Sequence, residues 1–440
     1  MKRCATHLLI LCLALPCLAQ TLPSYRAGSL AKLEPQPVYA ADPQDSWNRI
    51  FYLLFTRTVK LRLADTFPEG SPFISIEGLG MQNTLRVSQT FERIESGDRA
   101  IEPLYPSFLN SQGVKWALAD PQFGELQQAL QDALREPATR APLARALMQA
   151  DAWASYDIVL HARSGLSGEP AARAGELLPL LAQFIRKLAL TPQEIASLPR
   201  NYREAQASLN LPPVFDESSG WIEIEWFPHR SHDFSASFRR VARVFVKPKG
   251  KPQQFLDDLT ALLRKNPELS PDLETQVDAT ALLTEDLLID SSGRVVPSPL
   301  TYDVQIRSFS KRKDGKFETT VAECELSRQR LLSEPASGGL VAEKPGDPAY
   351  LASAGNDYLF ASPLFDRRDF QLPVLSNLQR RCQGCHGKDP GAFFTFAQIP
   401  IEGRPVPPVR QLRSSDDPHG AYVAQRKMER EDFKSLRWTQ

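Results

Sequence analysis

The sequence predicts a multidomain α+β chain, with a helical N-terminal part, a middle part mixing α-helix with antiparallel strand, and a mainly α C-terminal part. Three observations carry this. Apolar residues recur at helical spacing from about residue 42 to 205, with prolines at the starts of the runs. Near residue 210 the period changes from helical to alternating. The length, 440 residues, exceeds one ordinary domain of about 100–200 residues.

Taken in order, residues 1–19 have the anatomy of a secretory signal peptide. Lys2 and Arg3 are basic, Leu8 to Leu15 is apolar, and Cys17 and Ala19 are small residues before a cleavage point at Gln20. Residues 20–209 form the expected helical domain. Asp42-Pro43 offers an N-cap and a proline at the first helical position, followed by Trp47, Ile50, Phe51, Leu54 and Leu61. Asp120-Pro121 opens a second helix carrying Leu126, Leu130 and Leu134, and Pro142 opens a third. Thr191-Pro192-Gln193-Glu194 reads as a capping box, the hydroxyl and carboxyl each reaching the other's backbone N–H.

Residues 210–345 form the expected mixed region. Ile222, Ile224 and Trp226 alternate with Glu223 and Glu225, as in a strand with one buried face. Residues 237–247 are a second strand, 253–265 a helix, and 287–290, 294–296, 302–309 and 316–326 further strands. Asp314-Gly315 joins the last two as a hairpin turn, because both residue types tolerate positive φ. Residues 333–348 read as a linker, and residues 346–440 end in a helix expected over 422–436.

Composition narrows the partners. Lys+Arg and Asp+Glu balance at 52 each, so nothing in the overall charge argues for a nucleic-acid or membrane-surface partner, and no nucleic-acid partner is expected. No apolar run reaches the ~20 residues of a spanning helix, so no transmembrane anchor is expected. Of six cysteines, three leave with the signal peptide, and Cys324, Cys382 and Cys385 remain. That is no disulfide scaffold.

The chemistry sits in Cys382-Gln383-Gly384-Cys385-His386, preceded by Val374, Leu375 and Leu378, which are spaced for a short helix. Two thiols three positions apart reach the two vinyl groups on one haem edge, and the adjacent imidazole meets the iron. Other readings of the pair are a Cys382–Cys385 disulfide, a zinc site short of ligands, or an accident of spacing.

On Cys382, Cys385, His386 and the following Gly387 to Gly391, the segment resembles the c-type cytochromes. The resemblance covers residues 350–440. It implies a cytochrome c-like fold for residues 346–440, covalent haem c on Cys382 and Cys385, and His386 as proximal iron ligand. For the sixth position it offers His419, 33 residues downstream of His386 (419 − 386), with Met428 as the alternative.

His229 and His232 are three apart in a loop and read as surface residues, with metal binding the lesser alternative. His161 reads as a helix C-terminal cap, Cys324 as a buried thiol, and Trp221 and Trp226 as core or sheet-face residues. The functional expectation is a periplasmic or secreted monohaem protein passing single electrons to a redox partner protein. A haem-dependent oxidoreductase or peroxidase, and a haem-based sensor or binding protein, are the alternatives.

Overall fold

The computed structural model describes residues 37–55, 57–60, 73–74, 85–86, 98–101, 117–137, 139–225, 239–265, 273–315, 317–342, 350–353, 373–376, 408–412 and 418–438. Within them, helices and an antiparallel sheet combine as a mixed α/β architecture.

Helix α1 runs over Ser46–Phe55, three residues later than the proline predicts. Asp45 takes the capping role, its carboxylate accepting from Trp47 N at 2.9 Å. Two short antiparallel pairs follow, β1 (Arg57–Lys60) with β4 (Asp98–Ile101) and β2 (Phe73–Ile74) with β3 (Leu85–Arg86). Helices α2 (Gln122–Arg135) and α3 (Pro142–Ala162) then both pack on α4 (Gly168–Lys187). The short α5 (Pro192–Ala196) carries the expected capping box, complete in both directions. Helix α6 (Asn201–Leu209) ends on Asn210 in the left-handed conformation.

A seven-stranded antiparallel sheet follows, in the order β10-β9-β8-β7-β6-β5-β13. Its strands are β5 (Ile222–Glu225), β6 (Arg240–Pro248), β7 (Val277–Ile289), β8 (Val295–Lys311), β9 (Phe317–Leu326), β10 (Leu340–Ala342) and β13 (Arg410–Leu412). Between β6 and β7 run α7 (Pro252–Lys265) and α8 (Leu273–Gln276), and α9 (Arg328–Ser333) joins β9 to β10. Neighbours in the sheet are neighbours in sequence from β5 to β10, and β13 returns from far downstream to pair with β5.

Three strand expectations change. Strand β7 begins ten residues before the stretch 287–290, because Asp278, Ala279, Thr280 and Ala281 carry no strong strand signal. Strand β8 is one strand rather than two. It runs through Pro297 and Pro299, where the register against β7 shifts between Thr284 and Leu287 and absorbs the missing donors. The stretch 333–348 is not all linker, since β10 lies within it and pairs with β9.

The sheet separates two apolar layers. Val241, Phe245, Leu283, Val304 and Cys324 point toward α1–α6 and join their side chains in one large core. On the opposite face Ile222, Ile224, Val244, Val246 and Phe309 meet Phe255, Leu256 and Leu259 of α7. The large core is continuous from Val38 to Leu436 and so crosses the change of pattern near residue 210.

The C-terminal region holds β11 (Tyr350–Ser353) paired with β12 (Pro373–Ser376), then α10 (Pro418–Glu429) and α11 (Glu431–Lys434). Residues 373–376 are therefore strand, where the spacing of Val374, Leu375 and Leu378 predicts helix; cross-strand pairing with Leu351 and Ala352 overrides a three-residue stripe. The expected final helix starts four residues earlier and is broken at Arg430, whose backbone is extended. No helix among the described residues is long and apolar enough to cross a membrane.

Candidate functional site

Cys382, Cys385 and His386 lie outside the described residues, as do His229, His232 and Trp226. What the structure places are the two flanks of the motif. Upstream, β12 ends at Ser376. Downstream, Val409 donates its N–H to Thr260 Oγ1 of α7 at 2.9 Å and packs on the second core. Arg410–Leu412 then pair with β5. Residues 409–412 thus lie at the β5 edge, against α7.

His419 sits in the first turn of α10 and is 5% exposed. The sequence places it in a turn before the last helix; the helix starts at Pro418 and takes it in. Met428 lies on the same helix, half-buried against the large core. Nine residues of α-helix separate the two (428 − 419), a rise of about 13 Å. One iron atom cannot take both as neighbours. His161 falls in the last turn of α3 as expected, Cys324 is a buried thiol in β9, and Trp221 is buried in the large core. Among the described residues no group of three or more His, Cys, Asp and Glu side chains could hold a metal ion.

The structure also assembles a buried charge cluster that the sequence reading passes over. Helix α3 is apolar nearly all round, from Ala144 through Leu147, Trp153 and Tyr156 to Val159, and buries every side from Ala146 to Val159 except the half-buried Ala150. Asp151 and Asp157 go in with it. A carboxylate taken from water must find partners. Arg328, in the first turn of α9, grips Asp151 with Nε and Nη2 at 2.5–2.9 Å, and Tyr39 donates its hydroxyl to the same carboxylate at 2.5 Å. Burial together with Asp151 pushes the Tyr39 phenol well above its ordinary value. Burial alone would lower Arg328, but Asp151 more than reverses this and holds the guanidinium charged.

Asp157 accepts from Arg239 at 2.9 Å and from Lys427 of α10 at 2.7 Å, and Lys427 also reaches Asp432 at 2.9 Å. Arg240 lies over the Tyr302 ring at 3.4 Å and meets Asp286 at 3.4 Å. Burial raises Asp286 above the usual carboxylate range, and Arg240 only partly offsets it. Arg239 holds a left-handed backbone, φ 59°, uncommon outside glycine, at the start of β6. The cluster ties α3, β6, β7, α9 and α10 together. One sequence signal pointed to it: two aspartates in a helix with no polar face.

No family model, curated protein or solved structure matches this chain.

Proposed function

We propose that this chain is an exported monohaem c-type cytochrome-like protein, periplasmic or secreted, that passes single electrons to a redox partner protein. The observation that carries the reading is Cys382-Gln383-Gly384-Cys385-His386. The donor set fits the group: two thiols at the spacing of the haem vinyls, and an imidazole next to the second. The burial of Cys324 supports it, because a thiol inside β9 leaves Cys382 and Cys385 as the cysteine pair available for shared chemistry. The apolar, basic-headed residues 1–19 supply the export that haem attachment requires. Haem c would supply a one-electron couple between ferric and ferrous iron, its potential set by the protein ligands and by burial. His386 would ligate the iron, and His419, shielded from water, is the residue proposed as its second protein ligand.

The test is a pyridine haemochrome spectrum after acid–acetone extraction of full-length protein made in a host that attaches haem c. The expected result is a c-type spectrum that stays with the polypeptide and is lost in Cys382→Ala/Cys385→Ala. Haem that extracts freely from a folded protein refutes the reading. His419→Ala is expected to turn a low-spin spectrum high-spin; an unchanged spectrum removes His419 as ligand. Rapid peroxide turnover by the wild type would move the assignment to a haem-dependent peroxidase.

A further inference from the structure

The balance of 52 basic and 52 acidic residues over the whole chain hides an uneven placement. Strand β6 carries Lys247 near its end, and Lys249 and Lys251 follow on the way into α7. Strand β8 ends at Lys311, and Arg312 and Lys313 begin the turn into β9. The sheet register brings the two triplets to one end of the molecule. Lys247 lies opposite Ala279 of β7, and Ala279 lies opposite Ser308 of β8, three residues before Lys311. The Lys249 N–H donates to Gln276 O at 2.9 Å, just before β7 begins. A single strand separates the triplets, so they leave the sheet about 10 Å apart. Lys247 is half-buried and the other five are exposed.

The described acids at this end are fewer. Asp278 lies at the start of β7, and Asp314 sits in the turn, 3.8 Å from Arg312. Asp257 and Asp258 come one turn along α7. The N-terminus of α7 follows Lys251 directly and adds the positive end of its dipole. Gathering like charge at one end works against the fold and projects a positive field outward.

Residue type selects the partner. Five of the six cations are lysine. Arginine predominates where a planar fork reads single phosphates or nucleic acid, and protein interfaces favour arginine and aromatic side chains over lysine. Nor is there an apolar centre for such an interface. Among the described residues, the exposed large apolar side chain is Val341, which pairs opposite Glu325 toward the far end of β9. A lysine-rich projecting turn without an apolar centre is matched to a surface of spread negative charge.

We infer that the end of the sheet formed by residues 247–251 and 311–313 is a docking surface for an anionic lipid bilayer. The ammonium groups lie against the headgroups, held by charge, and let go when salt screens them. The surface is independent of the haem motif, so its success or failure leaves the function proposed above untouched.

Full-length protein is sedimented with phosphatidylcholine vesicles and with vesicles about one-third phosphatidylglycerol, at about 0.05 M and about 0.3 M sodium chloride. Binding is expected with the mixed vesicles only, and weaker by about tenfold or more at the higher salt. Lys311→Gln/Arg312→Gln/Lys313→Gln is expected to weaken it about 100-fold, and Lys247→Gln/Lys251→Gln about tenfold. Arg135→Gln/Arg163→Gln/Lys434→Gln, at exposed positions on the helical side of the sheet, is expected to leave it unchanged. No binding, equal binding to the two vesicle types, or equal effects of the two triple variants overturns the assignment. So does tighter binding to poly-L-glutamate than to the mixed vesicles, which would make the partner an acidic protein. If the variant in the β8–β9 turn is unfolded by circular dichroism, the Lys247/Lys251 variant decides in its place.

Discussion

Asp303 shows how a single group reads its surroundings. It sits half-buried on β8 beside Gln305, whose amide donates to it at 3.2 Å, opposite Thr284 on β7. Burial pushes its carboxyl up to about 6, against the pull of Arg240. A carboxyl raised in the folded state binds its proton more tightly there than in the unfolded chain. Its ionisation therefore destabilises the fold above pH 6 and costs nothing below the unfolded value of about 3.9. Asp303→Asn mimics the protonated form. It should raise the urea midpoint relative to wild type at pH 8, with the difference shrinking to near zero by pH 4; a difference independent of pH would show that this carboxyl does not titrate in that window. None of this was legible beforehand, because an acid in an alternating strand reads as solvent-facing until the sheet's other face is covered.

Among the elements, the turns and caps were the most legible and the long strands the least. Thr191–Glu194 and Asp314-Gly315 act through atoms only a few residues apart, so the local sequence contains their whole mechanism. Strand β8 was read as two because proline removes a donor locally, whereas the bulge that tolerates it belongs to the pairing with β7. Glycine separates the local from the tertiary most sharply. Gly315 and Gly338 both have positive φ, 82° and 70°. A Cβ on Gly315 meets nothing within 4 Å, while one on Gly338 falls 2.2 Å from Asn201 O in the first turn of α6. Gly315→Ala should cost about 1 kcal/mol from backbone strain alone, and Gly338→Ala about 3 kcal/mol or more, both read by urea denaturation. Equal costs would mean that α6 moves aside and the close approach is not needed.

At the scale of the molecule, the C-terminal helices close the same core that the first helix opens. Val423, Ala424 and Leu436 are buried in it, Arg186 of α4 donates to Leu436 O at 2.8 Å, and Lys427 is fully buried between Asp157 and Asp432. Lys427→Met keeps the apolar stem but leaves Asp432 without its buried cation and Asp157 with Arg239 alone. The expected loss is about 3 kcal/mol, measured by equilibrium denaturation; a loss below about 1 kcal/mol would show that apolar contact alone docks α10.

The sequence by itself carries the Cys382, Cys385 and His386 spacing, the helices from Gln122 to Leu209 and the antiparallel middle, since each depends on residue type at short spacing. It does not show the strand pairs among β1–β4, which depend on partners far along the chain. Only the tertiary structure decided that His419 is buried in a helix and that Met428 packs against the core away from it. It also decided that Asp151, Asp157 and Asp286 meet Arg328, Arg239 and Arg240 in one cluster. Those partners are 46 to 177 residues apart in the chain. Nothing local encodes such a meeting, and it is enforced by the cost of burying a charge without its counterion.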